Sequence, residues 1–411
     1  MSFKIGQSTG GTHINEDLMF MNANNDFLGG YDNTTLPSNE TKITASDAAA
    51  SDFFGWSVAV GSGRIVVGAY ADDDNGTTSG SAYIFDLDGN QIAKITASDG
   101  AANDYFGWSV AVGSGRIVVG AYGDDDNGTT SGSAYVFDLD GNQLAKITAS
   151  DAAAGDSFGY SVAIGSGRIV VGAPRNDDNG SNSGSAYIFD LDGNQLVKKT
   201  ASDAAADDFF GESVAVGSGR IVVGASFNDD NGVNSGSAYI FDLDGNQIAK
   251  ITASDGAGND LFGWSVAIGS GRIVVGAYGD DDNGSNSGSA YIFDLDGNQL
   301  AKINASDGAV DDNFGYSVAI GSGRIVVGAR YDDDNGTFSG SAYIFDLNGN
   351  QIAKITASDG AANDKFGQSV AIGSGRIVVG AYLDDVNGSF SGSAYIYTTP
   401  TADHTLDILD H

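Results

Sequence analysis

The chain has no cysteine. Disulfide frameworks, thiolate metal sites and thiol nucleophiles are therefore excluded. Proline is nearly absent, at 3 residues in 411, which argues against collagen-like and polyproline architectures. Basic residues are scarce: 19 Lys and Arg stand against 54 Asp and Glu, for a net charge of −35. A nucleic-acid backbone needs clustered Lys and Arg, so that partner is not expected. Anionic membrane surfaces are disfavoured for the same reason. No apolar run approaches the ~18 residues of a membrane span, so membrane insertion is not expected. Met1–Gly10 lacks the basic and apolar regions of a secretory signal. The three histidines, His13, His404 and His411, stand outside the repeat described next, and no His–carboxylate cluster marks a zinc site. Acids are abundant, but nothing singles out one pair, so the protein is read as non-enzymatic.

What is present is glycine, at 61 residues, with Tyr, Phe, Val and Ile in short runs between Gly, Asn and Asp. That pattern predicts many short strands joined by tight turns. Phe-Gly recurs at Phe54, Phe106, Phe158, Phe210, Phe262, Phe314 and Phe366, always 52 residues apart. A period near 50 signals a solenoid, propeller or array. The unit from Phe106 holds four strand-like runs: Ser109 to Val112, Arg116 to Gly120, Ser133 to Asp138 and Gln143 to Thr148. Gly113-Ser114-Gly115 joins the first two as a short hairpin. Asp140-Gly141 joins the last two and predicts a type I′ turn. Four antiparallel strands per unit make a propeller blade.

The ends of the repeat predict closure. The seventh unit stops after its third strand, at Ala394 to Tyr397. The fourth-strand sequence appears instead before the first unit, as Lys42-Ile43-Thr44-Ala45-Ser46-Asp47. The expected fold is all-β: a seven-bladed β-propeller of four-stranded antiparallel blades, with the N-terminal strand completing blade seven. Such closure removes two open sheet edges. The domains are a non-repeat arm 1–39, the propeller 40–397 and a tail 398–411.

Phe158-Gly159 followed by Gly172-Ala173-Pro174 resembles the FG-GAP repeat of integrin α-chains. The other units read Gly-Ala-Tyr, Gly-Ala-Ser or Gly-Ala-Arg at the second motif. The phrase Ser-Gly-Ser-Ala-Tyr is similar to bacterial and viral members of the class. The resemblance covers residues 40 to 397 and implies a propeller used for binding or assembly. Integrin-type blades often carry an Asp-x-Asp-x-Asp-Gly calcium loop between their first and second strands. Here that place holds Gly61-Ser62-Gly63, so those calcium sites are not carried over.

Loops alternate between the rims of a blade, and the inter-blade connection shares one rim, the top, with the loop between strands two and three. Asp72, Asp74, Asp99, Asp104, Asp124, Asp126, Asp280, Asp282, Asp332 and Asp334 stand there as candidate calcium ligands, since calcium takes several carboxylate and carbonyl oxygens. Asp-Asp-Asp-Asn-Gly is also a good turn, with Asx side chains bonding their own backbone. The copies differ most beside their motifs. After Phe-Gly stand Trp56, Trp108, Tyr160, Glu212, Trp264, Tyr316 and Gln368. After Gly-Ala stand Tyr70, Tyr122, Pro174, Ser226, Tyr278, Arg330 and Tyr382. The aromatic members are the candidate ligand-binding set. They suit a glycan, a protein contact, or packing between blades.

Two settings fit these features. One is a structural or adhesive subunit of a virion or other extracellular assembly, with protein partners or self-assembly through its two arms. The other is a secreted lectin-like protein, with calcium as a possible cofactor.

Overall fold

Burial explains why each unit breaks into four strands. The second and third strands, Arg116–Ala121 and Ser133–Phe137 in blade two, are almost wholly buried. They are covered on both faces, so they read as continuous apolar runs rather than alternating ones. The innermost strand, Ser109–Gly113, is half-buried, and the outermost, Gln143–Ile147, runs from exposed Leu144 to buried Ile147. The computed structural model describes residues 38–399, together with the backbone of a short antiparallel pair, Phe20–Met21 and Phe27–Gly29. The rest of the N-terminal arm and of the C-terminal tail lies outside the described residues. No described helix is long and apolar enough to cross a membrane.

Seven four-stranded antiparallel sheets form the ring. Six are built from consecutive strands. The seventh runs Ser369–Gly373, Arg376–Ala381, Ser393–Thr398 and then Ser38–Ile43. Thr41, Lys42 and Ile43 pair with Ile396, Tyr395 and Ala394. Closure therefore occurs as the sequence predicts. A bulge precedes it, with Asn39 at φ 57°, which turns Glu40 toward blade six. Its carboxylate accepts the Ser358 amide and hydroxyl and the Tyr397 hydroxyl. In blade one the corresponding contact is Gln91 accepting the Ser46 amide, at 3.0 Å.

The two sequence motifs meet across each blade boundary. A Cβ on Gly68, in the Gly-Ala motif of blade one, would lie 2.0 Å from the carbonyl oxygen of Gly107, in the Phe-Gly motif of blade two. The same oxygen accepts the Ser57 hydroxyl at 2.8 Å. Around the ring this ends with Ser369 donating to Gly55, at 2.9 Å. Each Phe of the motif is fully buried: Phe106 meets Tyr135 and Phe137 edge-on, at 5.5 and 5.9 Å. Neighbouring blades thus share their cores. Ile43, Phe54, Ile65, Val378 and Ile396 form one cluster across the junction of blades seven and one.

One turn assignment is corrected. Asp140-Gly141 does not form a type I′ turn, because only Gly141 has positive φ, at 92°. The Gly141 amide bonds back to the Asp138 carbonyl, and the Asp138 carboxylate accepts the amides of Asp140 and Asn142. That side chain wraps its own loop, which type I′ geometry does not require. The type I′ signature instead stands at Ser114-Gly115, with φ 51° and 74°. On this lower rim Arg64 donates to the Leu139 carbonyl of the next blade at 3.1 Å, and Arg376 does so to Leu87 at 2.8 Å.

Candidate functional site

The upper rim carries a repeated charged hub. In blade two the buried Tyr135 hydroxyl lies within hydrogen-bond distance of both Asp99 and Asp124, at 3.0 and 2.9 Å, and its one proton serves either carboxylate. Lys146, from the outermost strand, reaches the same place. Its ammonium lies 2.8, 2.9 and 2.6 Å from Asp99, Asp124 and Asp126. Blades one, five and six repeat this with Lys94, Lys302 and Lys354. In blade seven Lys42 reaches Asp359 and Asp384, and Val386 stands at the third position. In blades three and four Asn176 and Asn228 replace the buried aspartate.

The candidate calcium ligands are therefore brought together, but in different partnerships from those the sequence suggests. Asp72 and Asp74 join Asp47, Asp124 and Asp126 join Asp99, and Asp280 and Asp282 join Asp255. Within each trio ligand oxygens lie within 4.8 Å of one another and can hold a metal ion. Asp332 and Asp334 join Asp307 around Lys354. Asp104 stands apart from the lysine, and its buried carboxylate accepts the Ala101 amide at 2.6 Å. Sequence reasoning missed the lysine. Its signal was a Lys at one register of every outer strand, matched to an Asp at one register of every loop.

These two carboxylate classes titrate in opposite directions. Burial pushes Asp52, Asp104, Asp260, Asp312 and Asp364 up to about 6. The adjacent hub aspartate adds to the rise, against the backbone amide that each accepts. Burial also raises Asp99 and its equivalents, but hydrogen bonds from Lys and Tyr outweigh it and hold them below the usual carboxylate range. A raised folded pKa detracts from stability progressively as pH rises from the unfolded 3.8 through the folded value of about 6. A depressed one contributes above the unfolded value of 3.8, and that contribution is lost as pH falls through the folded pKa. Stability measured by urea unfolding should therefore peak near pH 4 and fall on both sides. Asp104→Asn should add on the order of 2 kcal/mol at pH 8 and little at pH 3.5. A stability that climbs steadily to neutral pH would contradict this.

The residues after Phe-Gly ring the axis. Together with the Ser-Val pairs that follow them, they line a central cavity of about 260 Å³. That is smaller than a usual small-molecule site, ~300–1,000 Å³. Its mouth is packed with rings. Trp56 lies 4.7 Å from Trp108, 4.9 Å from Tyr70 and 5.0 Å from Tyr382. Trp108 lies 4.9 Å from Tyr122 and 5.5 Å from Tyr160. A second arc joins Trp264 to Tyr278 and Tyr316, at 5.0 and 5.5 Å. All nine predicted rings are half-buried, so they pack together while keeping an outer surface. Between the arcs sits Glu212, hydrogen-bonded to Ser226 and pushed by burial up to about 7.

The structure adds residues to the candidate ligand-binding set. Phe53, Tyr105 and Lys365 each precede Phe-Gly and take positive φ, at 57°, 57° and 61°. Phe53 stacks on Tyr70 at 5.4 Å, and Tyr105 stacks on Tyr122 at 5.1 Å. Tyr331 and Phe338 form another pair at 4.9 Å. The positions that differ most among the seven copies thus converge on one face.

The FG-GAP repeat family model matches seven successive segments: 37–85, 90–137, 142–189, 194–241, 246–293, 298–345 and 350–397. The chain belongs to the FG-GAP repeat family. Each matched segment starts at an outermost strand and ends after the third strand of the next blade. The FG-GAP repeat is therefore offset by one strand from the blade, which is what allows the first strand to close the ring. No curated protein matches the chain.

Proposed function

We propose that this FG-GAP propeller is a non-enzymatic binding subunit whose upper face docks a protein partner, in a virion or another extracellular assembly. One observation carries the reading. Seven near-identical repeats keep their strands and diversify around the channel mouth, where Trp56, Trp108, Glu212, Trp264, Arg330 and Lys365 all occupy repeat positions that differ from blade to blade. A scaffold alone needs no such variation. Half-buried Trp, Tyr and Arg flanked by charge is the composition of interface hot spots. The nine candidate rings meet one another edge-on or tilted, and Phe53 and Tyr105 stack on Tyr70 and Tyr122, which favours a broad protein contact over one sugar stacked on a free ring face. Calcium is not required in this reading, because the lysine of each hub supplies the cation among the carboxylates.

Replacing Trp56, Trp108 and Trp264 together with Ala tests the proposal. The variant should still fold by circular dichroism, yet lose at least about tenfold in co-sedimentation with native particles or filaments. Unchanged co-sedimentation would refute the docking role. Sugar-selective binding by a free monomer on a glycan array would replace it with a lectin.

A further inference from the structure

The upper face of this acidic chain contains one sector of opposite sign. Arg330 lies with its guanidinium carbon 3.5 Å from the Tyr316 ring centre and 4.5 Å from that of Tyr331. Its side-chain hydrogen bonds are to neutral amides, Asn313 at 3.4 Å and Gln368 at 3.5 Å. Beside it Lys365 is only 8% exposed, with its ammonium 3.9 Å from the Tyr331 ring centre and 4.1 Å from that of Phe338. Among the described residues no carboxylate pairs with either cation, although the chain carries 54 acids and each blade has one outer-strand lysine in an acidic hub.

A buried, unpaired ammonium is costly to keep charged. Burial, then the Arg330 charge, pushes Lys365 down to about 8, with Asp333 pulling weakly the other way. The side chain is nonetheless not sealed, since 8% of the residue's surface remains open to solvent. An anion arriving at the Arg330–Lys365 edge would supply the missing counter-charge. Its walls are Tyr316, Tyr331 and Phe338, whose flat faces suit a planar group. A multiply charged anion would meet more repulsion from the surrounding net charge of −35.

We infer that Arg330 and Lys365 form a receptor for a single carboxylate, presented by an Asp or Glu side chain of the partner protein. This rests on the docking role proposed above and names the partner's chemistry. Arg330 supplies the planar fork that matches a carboxylate, and Lys365 supplies the second charge.

The test uses the full chain with ¹³C-labelled lysine and sodium propionate as the probe. The Lys365 Cε signal is assigned by its loss in Lys365→Gln. Propionate should shift that signal saturably at constant ionic strength and move its titration midpoint upward. Chloride should do neither, and phosphate should bind more weakly. Arg330→Gln should weaken the response about tenfold. No saturable shift, or the same shift in Arg330→Gln, overturns the carboxylate receptor. Tighter binding of phosphate overturns the choice of carboxylate. None of these outcomes depends on a partner, so they are separable from failure of the co-sedimentation experiment.

Discussion

A chain beginning at Thr44 will be far less stable than one beginning at Ser38. The two differ only by the strand Ser38–Ile43, which is the fourth strand of blade seven. Losing it uncovers Ile396 and Ala394, takes Ile43 out of the core shared with blade one, and removes the Lys42 contacts to Asp359 and Asp384, both at 2.7 Å. Burial of one isoleucine and a strand's hydrogen bonds together represent on the order of 5 kcal/mol. The effect should spread, because Phe54 and Ile65 of blade one belong to the same cluster. Differential scanning calorimetry of the two chains would show it as a large drop in Tm. The shorter chain should also self-associate through its newly bared edge. A synthetic peptide of residues 38–43 should recover part of the loss. Equal melting temperatures would mean that the closing strand contributes little.

Lys146→Met should destabilise the protein by about 3 kcal/mol, because it leaves Asp99, Asp124 and Asp126 without their cation. Those three carboxylates then resemble a site for a hard cation, and millimolar calcium should restore much of the loss. The unaltered protein should show little calcium effect, since the ammonium already stands among the same oxygens. Blade three provides an internal control. Lys198 faces Asp151 and Asp178, with Asn176 in place of the third acid. Lys198→Met should therefore cost less and respond less to calcium. Equal losses for both variants, or calcium stabilisation of the unaltered chain as large as that of Lys146→Met, would contradict the lysine's role. Thermal unfolding after chelation, with and without added calcium, reads all of these outcomes.

Blade number and closure were legible in the sequence, because seven units keep phase without insertion and the missing fourth strand reappears at Lys42-Ile43. The ring of residues after Phe-Gly was legible too, since strand direction places Trp56 and its equivalents at the upper rim. Three features were not. The lysine hub joins residues 47, 22 and 20 positions apart, as Lys146 does with Asp99, Asp124 and Asp126, and no local motif encodes that contact. The turn at Asp138–Asn142 depends on a side chain folding back on its own loop, which the Asp-Gly dipeptide does not reveal. Positive φ at Phe53, Tyr105 and Lys365 carries no sequence signal, because bulky residues seldom adopt it. That geometry brings Lys365 beside Arg330, so the cationic sector came from the fold and not from the repeat pattern.

The central claim is that the diversified upper face is the contact face. Hydroxyl-radical footprinting of the native assembly against the isolated chain tests it most directly. The account predicts that Trp56, Trp108, Tyr122 and Tyr331 become protected in the assembly, while exposed outer-strand residues such as Leu144, Leu196 and Leu300 react equally in both. Protection of the outer strands or the lower rim, with the upper aromatics unchanged, would contradict it.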